Sequence, residues 1–204
     1  MVARAEPHES IEVFDGKGTA WGAVIESVGK RETVARVTES RKIPADPFEL
    51  TLAVAMIRIA AFEFALEKVV EIGVSRIVPF NADRSNVSAG NRHERWLRIL
   101  IEATKQSKRY RIPVLEPTAT FDQVISMPAE SKIMFAEHGG SPLKSALAGA
   151  PVLYLVGPEG GWTDRELSAA RNKGFNAVSL GEGILKAETA AIVGTSLIRY
   201  ELGR

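Results

Sequence analysis

The stretch Val152-Leu153-Tyr154-Leu155-Val156-Gly157-Pro158-Glu159-Gly160-Gly161-Trp162-Thr163-Asp164-Arg165-Glu166 constrains the fold of this chain more than any other. Its five leading apolar residues predict a short buried strand, its glycines a turn, and Thr163 with Glu166 a capping box that opens a helix. Glycine is used where the backbone takes positive φ or approaches another group closely, so such a turn can press its amides against a ligand. A strand feeding a helix this way predicts a site at the carboxyl end of a parallel strand, where open α/β sheets bind their ligands. The phosphate-loop ending GK[ST] and the dinucleotide pattern GxGxxG are both missing. A ligand with a nucleoside part and no phosphate chain fits better.

Ser179-Leu180-Gly181-Glu182-Gly183-Ile184-Leu185-Lys186-Ala187-Glu188-Thr189-Ala190-Ala191 repeats the strand, turn and helix start. Either turn alone reads as a plain tight connection. Together they offer two sets of free amides that can face each other across one pocket.

The rest of the chain predicts an α/β protein with a mostly parallel sheet covered on both faces. Leu50 to Met56 reads as a buried strand, Ala60 to Ile72 as a helix closed by Gly73, and Arg76 to Phe80 as a second strand, which is a βαβ unit. Asn91 through Lys108 reads as a long helix with Trp96, Leu100, Ala103 and Thr104 on one stripe, Trp96 being core rather than a stacking platform. Further strands are expected at Ile133 to Ala136, Val152 to Val156 and Ala177 to Leu180. Before these, Ile11 to Phe14, Ala20 to Val28 and Thr33 to Val37 read as hairpin strands around an Asp15-Gly16 turn. Pro44 and Pro47 mark a linker. The expected division is a small β unit over 1–43, a linker over 44–49 and the main domain over 50–204.

With a formal net charge of +1, nothing in the overall balance draws the chain to nucleic acid, and such a role must rest on a local patch. Arg92, Arg95, Arg98, Lys105, Lys108, Arg109 and Arg111 cluster on and just beyond one helix, the footprint of phosphate contact, though a solvated helix face reads the same way. The sequence has no cysteine, which excludes disulfides and thiolate chemistry, and His8, His93 and His138 match no zinc spacing. No metal is expected. The start, Met1-Val2-Ala3-Arg4-Ala5-Glu6, lacks the apolar core of a signal peptide, and no segment has the apolar length of a membrane span. A cytoplasmic protein is expected.

Read in order, RSxxxxxxxxERWxxxxxEAxxQSxR from Arg84 to Arg109, GPEGG from Gly157 to Gly161 and LGxxILxxETA from Leu180 to Ala190 resemble the ribosomal small-subunit methyltransferase E family of SPOUT RNA methyltransferases. The resemblance runs from about Leu50 to the end. It implies a SPOUT-type parallel sheet with a carboxyl-terminal trefoil knot, preceded by a small PUA-like RNA-binding β-barrel. It also implies S-adenosylmethionine as methyl donor, a homodimer, and methylation of nitrogen 3 of a uridine in small-subunit (16S) ribosomal RNA, free or in the assembled subunit. Carried over residue by residue, Leu155, Gly157, Pro158, Glu159, Gly160 and Gly161 would form one side of the cofactor site, and Leu180, Gly181, Ile184, Leu185, Thr189 and Ala190 the other. Arg84, Arg92, Arg95, Arg98, Lys105, Gln106, Lys108 and Arg111 would meet RNA, with Gln106 and Arg109 near the target or the dimer seam.

Three departures stand out. Lys186 occupies the place of an arginine in ILRxETA, Ile57-Arg58-Ile59-Ala60-Ala61 replaces a lysine-glycine-aspartate stretch, and Phe14-Asp15-Gly16 comes early, so the barrel is expected to be shortened. Methylating uracil nitrogen 3 requires removing its weakly acidic proton or stabilising the resulting anion, which a cation beside the ring does electrostatically. Arg109 and Lys186 are the candidate cations, with Glu188 an orienting group or base. Glu102 and Glu188 read either as structural pair partners or as site carboxylates. The alternatives are a same-fold methyltransferase with another target nucleotide, and a catalytically inactive cofactor- and RNA-binding protein.

Overall fold

In a computed structural model that describes residues 6–137 and 140–203, the parallel sheet is built from seven strands. They are β4 (Leu50–Ala55), β5 (Arg76–Asn81), β6 (Val114–Leu115), β7 (Ala119–Thr120), β8 (Ser131–Phe135), β9 (Val152–Val156) and β10 (Asn176–Val178). Their order is β10-β8-β9-β4-β5-β6, with β7 also on β5, and every pairing is parallel. A sheet covered on both faces needs apolar residues at every position, which is how β4 and β9 read. Along β4, Leu50, Leu52 and Val54 join one core while Ala53 and Ala55 join the other.

The first core is closed by α1 (Ile59–Ile72), α2 (His93–Ser107) and α6 (Ala187–Leu202), the second by α3 (Phe121–Ile125) and α5 (Asp164–Asn172). A short α4 (Leu143–Ala146) links β8 to β9. Gly73 ends α1 at φ +120, the left-handed C-cap that its place in the sequence predicts. On α2 the stripe of Trp96, Leu100, Ala103 and Thr104 is buried as expected, with Trp96 packed 4.6 Å from the Phe62 ring. Strands β6 and β7 have two residues each, too few to show alternation, and helices α3 and α4 have five and four, too few to show a helical period.

The amino-terminal unit differs from its expectation. Strands β1 (Ser10–Phe14), β2 (Thr19–Val28) and β3 (Thr33–Lys42) form an antiparallel sheet ordered β1-β2-β3, and no pairing among the described residues joins β1 to β3. It is an open sheet rather than a shortened barrel. Asp15 shapes its first turn: one carboxylate oxygen accepts the amides of Lys17 at 2.7 Å and Thr19 at 2.9 Å, which holds its pKa below the ordinary aspartate value. The sheet docks on the segment after α2. Gly18 donates to the Tyr110 carbonyl, Ile112 donates to the Gly16 carbonyl, and Arg111 reaches the carbonyls of Lys17 and Ile43.

Candidate functional site

The two glycine turns meet. Strand β9 ends at Val156 and β10 at Val178, and the segments that follow line one cavity of about 470 Å³ at the carboxyl edge of the sheet. Gly157, Pro158, Glu159, Gly160 and Gly161 form one wall, and Leu180, Gly181, Ile184, Leu185 and Ala190 another. Ser179 and Leu180, expected within the last strand, have left the sheet and face this space. Two expected wall residues lie elsewhere. Leu155 is fully buried in the α5-side core because its side chain alternates away from the cavity, and Thr189 opens on a neighbouring groove.

The first turn is held from several sides. Gly161 sits at φ +69 and its amide donates to the Pro158 carbonyl at 2.9 Å. Gly160 takes no positive φ, so the demand for glycine there is one of close approach. An added Cβ on Gly157 would come 2.8 Å from the Trp162 ring, which lies parallel to Phe80 and donates its Nε1 to the Phe135 carbonyl at 2.7 Å. Glu159 accepts the Arg58 amide at 3.2 Å, which gives the start of α1 an acceptor that its own N-cap side chain does not supply.

The capping box at α5 is formed and carries more than the sequence implies. The Thr163 hydroxyl accepts the Glu166 amide at 3.3 Å, and the fully buried Glu166 carboxylate accepts the amides of Thr163 and Asp83, each at 2.9 Å. Asp83, just past β5, takes a two-point bond from Arg165 at 2.6 and 3.0 Å. The Arg165 and Thr163 donors hold the Asp83 carboxyl below its ordinary pKa.

The second turn is more open. Gly181 sits at φ +133, and a Cβ on Gly181 or Gly183 would meet nothing within 4 Å. Phe135, Ala136, Glu137, Val156, Trp162 and Ser179 also line the cavity. Val156, Trp162 and Ser179 carried a local signal through their places beside the glycines, whereas Phe135, Ala136 and Glu137 carried none.

The candidate catalytic residues are divided. Lys186 is the N-cap of α6 and belongs to both the cavity and the adjoining groove, where Glu188 lies with Arg58, Ala60, Ala61, Phe64 and Thr189. Arg109 is not with them. It donates to the Ile72 carbonyl at 3.2 Å and to Asp46 at 2.6 Å, at the amino end of the sheet where Ser75 meets Leu50. Arg199 shares the Asp46 carboxylate, and burial pushes the Arg109 pKa down despite that partner. The guanidinium caps α1 and braces the linker.

The basic patch is partly paired with acids. Arg95 is bonded to Glu63 at 2.6 and 2.7 Å, Arg98 lies 3.8 Å from Glu94, and Lys105 is 2.9 Å from Glu102, so Glu102 is a surface pair partner. Arg95, Arg98, Glu102 and Gln106 line a separate groove between α1 and α2, which Glu67 and Glu71 border from α1. Spacing along a helix reports which bases share a face but not which acids a second helix brings to it. Arg92 donates to the Ala89 carbonyl and Lys108 ends α2 in the left-handed region. Arg111 is spent on docking the amino-terminal sheet, and Arg84 lies in the cavity. Among the described residues no cluster could hold a metal ion and no helix is long and apolar enough to cross a membrane. His138 and residues 1–5, which carried readings from the sequence, lie outside the described residues.

Comparison with known proteins agrees with this geometry. A family model described as an RNA methyltransferase domain matches residues 44–199. A ribosomal RNA small subunit methyltransferase E of Synechocystis is 33% identical over 97% of this chain and 68% of its own length. The crystal structure of the same-named protein from Neisseria gonorrhoeae, bound to S-adenosyl methionine, superposes with a TM-score of 0.91 at 32% identity, covering 98% of this chain and 86% of that one. A putative methyltransferase from Legionella pneumophila, in complex with the same cofactor, gives 0.92 at 28% identity over 98% and 86% of the two chains. With the matched domain, the full-length likeness and the paired turns in agreement, this chain belongs to the ribosomal RNA small subunit methyltransferase E family.

Proposed function

We propose that the chain transfers a methyl group from S-adenosylmethionine to nitrogen 3 of a uridine in small-subunit ribosomal RNA, acting in the cytoplasm as a homodimer with a knotted carboxyl-terminal domain. The observation that carries this reading is the single cavity shared by the two glycine turns. Its residues fit the cofactor. Gly181 and Gly183 present bare backbone to open space, as a closely approaching nucleoside requires, and Leu180, Ile184, Leu185 and Ala190 supply apolar walls for a purine. When bound, S-adenosylmethionine supplies an electrophilic methyl group on a sulfonium.

The adjoining groove is the place for the target base. It too measures about 470 Å³, and Lys186 is common to both spaces. An ammonium there, at the amino end of α6, lowers the energy of a uracil anion against its ring oxygens. Lys186 has no ion-pair partner among the described residues. Glu188, in the first turn of the same helix, is the candidate acceptor of the N3 proton. The dimer reading is supported by exposed apolar side chains on two helices that pack together: Phe64 of α1, which lines that groove, is 49% exposed, and Leu197 of α6 is 39% exposed.

Calorimetric titration with S-adenosylmethionine, followed by a methylation assay on small subunits with mass-spectrometric mapping of the product, tests the proposal. Methyl incorporation at N3 of one uridine is expected. Incorporation at another nucleotide would leave the fold and change the substrate. Tight cofactor binding without methylation would favour an inactive binding protein.

A further inference from the structure

Arg84 differs from the other basic residues assigned to RNA by their place in the sequence, because it alone of them lines the cavity. Its Nη1 donates to the Gly160 carbonyl at 2.7 Å and to the Trp162 carbonyl at 3.3 Å, one bond on each side of Gly161. The opposite ends of those two peptide groups are also engaged. The Gly161 amide bonds Pro158 and the Thr163 amide bonds Glu166. A planar peptide held at both its oxygen and its N–H has no remaining freedom to rotate. The stem of the arginine packs against the turn as well: a Cβ on Gly160 would lie 3.1 Å from the Arg84 Cβ and 3.3 Å from its Cδ.

Arg84 itself stands on a fixed base. Ser85 closes a turn onto Ala82 with bonds of 3.0 and 3.2 Å, and Asp83 is clamped by Arg165 and by the buried Glu166. The end of β5 is thereby locked to the start of α5, with the glycine turn between them.

We propose that Arg84 is a positioning residue for the cofactor turn: it holds the Gly160–Trp162 backbone in the shape that receives S-adenosylmethionine, and acts through that backbone rather than on RNA phosphate. The inference rests on the cofactor reading above. A lysine would preserve the charge yet end one atom short of Nη1, and a methionine would preserve the stem without a donor.

The test is titration of S-adenosylmethionine, without RNA, into wild type, Arg84→Lys and Arg84→Met, together with the salt dependence of RNA binding and the melting temperature of each. Both substitutions should weaken cofactor binding by about tenfold or more, since charged hydrogen bonds to two carbonyls are lost. The KM for cofactor should rise with the salt slope of RNA binding unchanged. Folded variants with wild-type cofactor affinity would overturn the inference. So would a salt slope lowered by about one unit in Arg84→Met and restored in Arg84→Lys, the signature of a phosphate contact. A wild-type chain that takes no S-adenosylmethionine would overturn the cofactor reading and this inference together.

Discussion

Tyr154 on β9 and Thr195 on α6 place their hydroxyl oxygens 2.6 Å apart in a fully buried site. Thr195 donates its own proton to the Ala191 carbonyl at 2.6 Å, so Tyr154 is the donor between them. Burial pushes the Tyr154 pKa up, which keeps that proton in place. The pair ties the helix that follows the second turn to the strand that enters the first. Removing either partner has unequal consequences. Tyr154→Phe leaves Thr195 bonded to Ala191 and should cost about 1 kcal/mol, whereas Thr195→Val strands a buried phenol and should cost about 1–3 kcal/mol. Urea unfolding of the two variants checks the order; equal losses would contradict the donor assignment.

Gly194 on α6 packs against the Phe135 ring at the end of β8, and an added Cβ would overlap that ring. Phe135 lines the cavity, and its carbonyl receives the Trp162 indole. Gly194→Ala should therefore destabilise the protein by about 1–3 kcal/mol, the ordinary cost of overpacking. It should also weaken cofactor binding through the displaced ring. Thermal melts with and without cofactor measure both, and a variant as stable as wild type would show that the helix can move aside freely.

Acid should loosen the clamp beneath the first turn. Asp83 has its pKa lowered in the fold from 3.8, chiefly by the Arg165 hydrogen bond and then by Thr163. A depressed carboxylate contributes stability that is present above its unfolded value and is lost as pH falls through the folded one. The stability gap between wild type and Asp83→Asn should thus be open at neutral pH and close below about pH 3.8. Urea melts across that range follow it. A gap that persisted in strong acid would mean the asparagine is destabilising for a reason other than charge.

Arg109→Ala should lower stability without touching the chemistry. The substitution removes the bonds to Ile72 and Asp46, a loss of about 1–3 kcal/mol for a charged, largely buried donor. The turnover rate at saturating RNA should stay at the wild-type value once both proteins are folded. A fall in that rate at 20 °C, well below the melting transition, would return Arg109 to the reaction.

The parallel sheet, its buried strands and the two turns were legible in the sequence because each is encoded locally. A continuous apolar run, a cluster of glycines and a capping pair report their conformation within a few residues, and α1 even announced its end at Gly73. The motifs around Arg84, Gly157 and Leu180 likewise carry the resemblance to the family in residue types and spacing alone. What the sequence could not report was the neighbour across space. Whether Arg95 faces an RNA phosphate or Glu63, whether Arg109 reaches the cavity or the far end of the sheet, and whether Leu155 points into the site or behind it are set by how helices and strands pack. Charge and hydrogen bonding act over a few ångströms of space, while the chain order fixes distance only along the backbone. For that reason the glycine turns belong to the sequence, and the arginine that braces one of them belongs to the fold.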